Sequence, residues 1–151
     1  MSRHPTRRRD ESGSALVELT WLALLLLLPL TYIVVTVFTV QRAAYGVSAA
    51  AEAAGRAVTL APTEASALER ARAAAAVTLV DHGVAAGTEQ VSVRCDPDPR
   101  DCLAPGSVVS VLVDAEVALP LMPDLLGSAR PSISVDAVHR IPYGTFREDR
   151  G

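Results

Sequence analysis

From Leu19 to Val40 the chain runs 22 residues without a single charge, and this run constrains everything else the molecule can be. As a helix it extends about 33 Å, enough to cross a hydrocarbon core of about 30 Å. A cleaved secretory signal has an apolar core of only about 7 to 15 residues, so the run is too long for one. Pro29, in its middle, removes one backbone hydrogen bond and disfavours helical geometry at Leu28. A kink or loosened turn is expected there, which a membrane helix tolerates better than a soluble one.

The flanks of the run give it a direction. "RHPTRRR" places Arg3, Arg7, Arg8 and Arg9 before it, offset only by Asp10 and Glu11. The whole chain has 14 basic residues, all arginine, against 17 acids, so the charge after the leader is more acidic than the overall −3. A basic head ahead of an apolar segment predicts a cytoplasmic N-terminus and an extracytoplasmic remainder. The acidic balance leaves no electrostatic footprint for nucleic acid, and no nucleic-acid partner is expected.

Glu18 opens the apolar run, and a plain anchor gives no reason for it. An unpaired carboxylate at the bilayer centre costs about 2.5 to 3.5 kcal/mol, less near the interface, so the acid is read as functional. The bland alternative is a side chain that snorkels to the interface. Gly13 precedes Ser14, and Glu18 is the fifth residue counting from Ser14. A basic leader, a glycine, a fifth-position glutamate and a long apolar helix together resemble a type IV prepilin signal. "RRRDESGSALVELTWLALLLLLPL" followed by "VQRAAYGVSAAAEAAGRAV" is similar to the TadE family, the minor pilins or pseudopilins of tight-adherence, Flp-type pilus systems. The resemblance covers about residues 7 to 60. Leu19 stands where many members carry an aromatic, and Pro29 falls later than the usual proline.

The resemblance implies membrane insertion, cleavage after Gly13 by a prepilin peptidase, and a role in pilus assembly, adhesion or related secretion. Ser14 would then supply a new ammonium, and Glu18 would pair with the amine of a neighbouring subunit. Implied partners are membrane lipid, the peptidase, other pilin subunits and the tight-adherence assembly machinery. The alternative is a signal-anchored, single-pass protein whose extracytoplasmic binding domain never enters a pilus.

Past Val40, helix-favouring composition continues to about Leu60. Ala43, Val47, Ala50, Ala54 and Ala57 recur every three or four positions, a narrow small-residue face along which another helix can approach closely. Its partner is either a sister subunit or the chain's own external domain. A second helix begins near Thr63, a good N-cap, with Leu68, Ala75, Val77, Leu79 and Val80 as its apolar positions and Gly83 as its stop. From Thr88 the period changes to two. "EQVSVRC", "SVVSVLVDAEVAL" and "PSISVDAVHRI" read as three strands, with "PLMPDLLG" as a connector or short helical turn. The expected fold is α+β, with residues 1–13 a cytoplasmic leader and 14–60 a transmembrane helix with its extension. Residues 61–151 would form a small pilin-like head of one further helix and a three-stranded antiparallel sheet.

Cys95 and Cys102 are the only cysteines, and an extracytoplasmic pair this close is expected to form a disulfide, free thiols being the alternative. Between them, Asp96, Asp98 and Asp101 lack the glycine and downstream glutamate of an EF-hand, so a solvated turn is expected and not a Ca²⁺ site. His4, His82 and His139 are far apart in sequence, with no second ligand at metal spacing. No nucleophile elbow, Walker loop or dinucleotide fingerprint occurs. Neither catalysis nor a cofactor is expected.

Overall fold

The computed structural model describes residues 12–120 and 131–150. The basic leader ahead of residue 12, with His4, and most of the "PLMPDLLG" connector lie outside the described residues. The chain divides into two compact units, residues 1–35 and 36–151.

One helix, α1 (Ser12–Thr59), runs through the whole apolar segment and its alanine-rich extension. It remains helical across Pro29. Thr20 and Thr31 each donate a hydroxyl to the carbonyl four residues back, Leu16 O and Leu27 O, both at 2.8 Å. A polar side chain on an apolar helix is satisfied in this way without leaving it. In the first unit the leucines from Leu19 to Leu30 and Trp21 are all exposed. The helix is long and apolar enough to cross a membrane.

The second unit is a small α+β body. Besides the end of α1 it contains α2 (Glu64–Asp81), β1 (Glu89–Asp96), β2 (Val108–Ala118) and β3 (Ser132–Pro142). The strands form an antiparallel sheet in the order β1-β2-β3. The two-residue period places Val91, Val93 and Cys95 of β1 on the same face as Val109, Val111, Val113, Ala115 and Val117 of β2. Ile133, Val135, Ala137, His139 and Ile141 continue that face on β3, where they are half-buried. On the other face, Asp114 and Asp136 sit directly opposite one another, and Ser134 donates to Asp114 Oδ2 at 2.7 Å.

The helices supply the second layer, and small residues decide how close it lies. Ala43, Val47, Ala50, Ala51, Ala54 and Val58 of α1 are buried, joined by Ala67, Ala71, Ala75 and Leu79 of α2. Of the face expected on α1, Ala57 is only half-buried and Val58 takes its place. The expectation for α2 needs a larger correction. Leu68, Val77 and Val80 are exposed, and an alanine stripe at every fourth residue does the packing, with Leu79 as its one large member. Alanines let the helix axes approach where leucines would hold them apart, so the larger side chains turn outward. Gly46 marks the tightest point: a Cβ built there would lie 2.7 Å from His82 Cβ.

Thr63 is the N-cap of α2, but its hydroxyl caps no backbone amide. It donates to Ser66 Oγ at 3.2 Å, and Ser66 Oγ donates to Thr63 O. The helix ends at Asp81, with His82 as C-cap and Gly83 at φ +78°, a conformation L side chains rarely adopt.

Candidate functional site

The residues expected to carry function lie at the start of α1. Gly13 and Ser14 are part of its backbone helix, and Glu18 follows one turn after Ser14, exposed to the surroundings. Trp21 is exposed three residues beyond Glu18, and Tyr45 is exposed at 75% near the far end of the apolar run. The small-residue face beyond Val40 is consumed inside the chain's own second unit, which answers the question of its partner there.

Cys95 and Cys102 form a disulfide, with a Cα–Cα distance of 5.2 Å. Closing a loop this short stabilises the fold by about 2.5 kcal/mol on the chain-entropy model. The loop is a turn, as its sequence suggests: Arg100 N donates to Asp98 Oδ1 at 2.9 Å and Asp101 N to Asp98 O at 3.2 Å. It is tied to α2 by Cys102 N donating to Glu64 Oε1 at 3.0 Å. Burial raises the Asp101 carboxyl above its ordinary pKa, and the carboxylates of Asp149, Glu64 and Asp98 push the same way. A hydrogen bond from the Ala104 backbone opposes them. Among the described residues no group of His, Cys, Asp and Glu is arranged to hold a metal ion.

Two features of the head are absent from the sequence reading. The first is a cleft of about 380 Å³ between α2 and β1, lined by Val58, Ala67, Leu68, Val91 and Val93, with Glu64 and Arg72 among its polar lining. Its walls are chiefly aliphatic. The second is a clip made by the C-terminal residues. Arg147 Nη1 donates to Thr59 O at 2.7 Å, and Arg150 Nη1 donates to Ala61 O at 3.2 Å. The Arg147 guanidinium also lies 5.2 Å from the centre of the Tyr143 ring, and Tyr143 OH donates to Glu148 O at 2.9 Å. Cations at the carboxyl end of a helix meet its unpaired carbonyls and the negative end of its dipole. The one available signal was the charged "FREDR" ending, which has no periodicity to say where it docks.

Compared with protein-family models, curated proteins and solved structures, the chain matches none.

Proposed function

We propose that this protein is a TadE-like pseudopilin, inserted with its N-terminus cytoplasmic and its α+β head outside. A prepilin peptidase cuts after Gly13, and the apolar helix stays in the membrane as the mature N-terminus. Pilus assembly, adhesion or related secretion then draws on that helix. The observation that carries this reading is the exposed apolar stretch of α1 with a carboxylate, Glu18, one turn after Ser14. Cleavage leaves an ammonium on Ser14, and Glu18 pairs with such an amine on a neighbouring subunit. Pairing relieves the cost of holding the acid near lipid, so the charge pair sets subunits in register.

Glu18→Gln tests the pairing directly. Membrane insertion should be unchanged, because the variant is less polar at the same place. Assembly with pilin subunits, measured by co-purification from the membrane, should fall severely. Assembly at the level of the parent chain would sink the pairing step.

A second reading, a signal-anchored extracytoplasmic binding domain, draws support from the burial of Ala43, Val47, Ala50 and Ala54 within the chain's own head. That part of α1 leaves little small-residue surface for sister helices. A full-length, monomeric product held in the membrane, with no pilin partner, would favour it.

A further inference from the structure

β1 is an outer strand of the sheet, and the phase of its hydrogen bonds shows which of its backbone groups are in use. Opposite residues of an antiparallel pair alternate between exchanging both backbone bonds and exchanging none. Glu116 N donates to Thr88 O, one step before the pair Glu89 and Ala115. Gln90, Ser92 and Arg94 are therefore the residues bonded to β2. Glu89, Val91, Val93 and Cys95 point their N–H and C=O groups the other way, to the open side. The other strand pair agrees, since Leu119 N donates to Pro131 O and leaves the alternate residues of β2 for β1. Among the described residues no strand or loop backbone bonds to that open side. No proline interrupts β1, so the four N–H groups are all donors, and such an edge is a template for a further strand.

The aliphatic cleft of about 380 Å³ lies along the same strand, with Val91, Ser92 and Val93 as one wall and Ala67 and Leu68 of α2 as the other. Glu64, Leu68 and Arg72 occupy successive turns of α2, so the two charges stand about 12 Å apart along the helix with a leucine between them. Glu64 is at the disulfide end, where its Oε1 accepts from Cys102 N and where the carboxylates of Asp98 and Asp101 are close by. Arg72 is at the Glu89 end, exposed and without an ion pair among the described residues. Glu89 itself accepts from Gly87 N. The cleft is thus negative at one end, apolar in the middle and positive at the other.

We propose that this edge binds an extended segment of another polypeptide, added as a fourth strand antiparallel to β1, as the rest of the sheet is paired. The backbone of the segment bonds to Glu89, Val91, Val93 and Cys95, and its alternate side chains enter the cleft. Four residues of extended chain span about 13 Å, close to the separation of the two charges on α2. The matching segment therefore carries a basic residue, an aliphatic one two positions later and an acid two positions after that. In the antiparallel direction the base meets Glu64, the aliphatic side chain meets Leu68 and the acid meets Arg72. Every residue involved belongs to the second unit, so the site is independent of how α1 is inserted or processed.

The test uses full-length protein in lipid nanodiscs, with binding read from the anisotropy of fluorescent peptides. One set has the form Thr-Lys-Thr-X-Thr-Glu-Thr, with valine, isoleucine or leucine at X, and a second set exchanges the lysine and the glutamate. The lysine-first set should bind about tenfold more tightly. A methyl group on the backbone nitrogen of X, which faces β1, should weaken binding about tenfold. The same methyl group on the threonine after X faces away and should leave binding unchanged. Arg72→Glu alters an exposed side chain with no partner to lose, and should reduce binding of the lysine-first set about fivefold. Arginine in place of the peptide's glutamate should restore it. No saturable binding of either set by the parent chain would overturn the proposal. Equal effects of the two methyl groups would also do so, because the cleft would then take apolar matter without strand pairing. A chain that is dimeric in the nanodisc and binds no peptide would overturn it as well, with a second copy as the occupant.

Discussion

Two glycines of α1 face side chains from other parts of the fold, and the distances separate their roles. At Gly46 a methyl group would meet His82 Cβ at 2.7 Å, an atom fixed beside the backbone. At Gly55 it would meet His139 Cδ2 at 3.2 Å, toward the end of a ring that can shift slightly. Replacing a helical glycine by alanine gains about 1 kcal/mol of helix propensity, while overpacking costs about 1 to 3 kcal/mol. Gly46→Ala should therefore lower the thermal unfolding temperature, and Gly55→Ala should leave it nearly unchanged. Equal effects at both sites would contradict the close approach at His82. Asp101 gives a pH-dependent prediction. Its pKa is raised from 3.8 in the folded protein, so ionisation costs the folded state more than the unfolded one. The penalty is absent below the unfolded pKa, grows as pH rises through the raised value, and is constant above it. Asp101→Asn should stabilise the protein at pH 7, with the gain vanishing in acid below the ordinary carboxylate pKa. Unfolding curves recorded across that range would show the convergence, and a gain that persists in acid would rule out ionisation as its source.

At the scale of elements, what the sequence displayed and what it hid follow from the physics of each. Strand faces were legible because alternation has a period of two, so Val91, Val93 and Cys95 fell on one side as expected. The disulfide was legible because only two cysteines exist. The packing face of α2 was legible only in part: Ala75 and Leu79 are buried as expected, whereas Leu68, Val77 and Val80 are exposed and Ala67 and Ala71 carry the contact in their place. In a helix hairpin the inner residues are chosen for small size, and hydrophobicity ranks them last. The C-terminal clip was hidden for another reason: Arg147 and Arg150 act on backbone carbonyls 88 and 89 residues away, a pairing with no local signature. Removing it gives the prediction at this scale. Arg147→Ala should destabilise the head by about 1 kcal/mol, the usual contribution of a cation at a helix C-terminus. Arg147→Lys should recover part of the loss, because it keeps the charge but not the planar contact over Tyr143. Thermal denaturation of the two variants beside the parent reads both effects.

Across the whole molecule, one continuous helix changes character along its length. Up to Val40 α1 presents leucine, valine and isoleucine outward, and beyond it the same helix buries alanine and valine against α2 and the sheet. The change from large exposed to small buried residues divides the stretch long and apolar enough to cross a membrane from the stretch that packs against protein. Much of this was readable from sequence, because an uncharged run and an alanine-rich repeat differ so sharply in composition. The candidate site was readable only as a pattern, Gly13, Ser14 and Glu18 in order. The chemistry proposed for it needs a cleavage and neighbouring subunits, which a single chain does not contain. The most direct test of the proposed function is the intact mass and N-terminal sequence of the membrane-extracted protein, with and without its host's prepilin peptidase. A chain that begins at Ser14 only when the peptidase is present is the predicted result. A retained leader in both samples would contradict it, and would leave Glu18 as an interfacial acid on a membrane anchor.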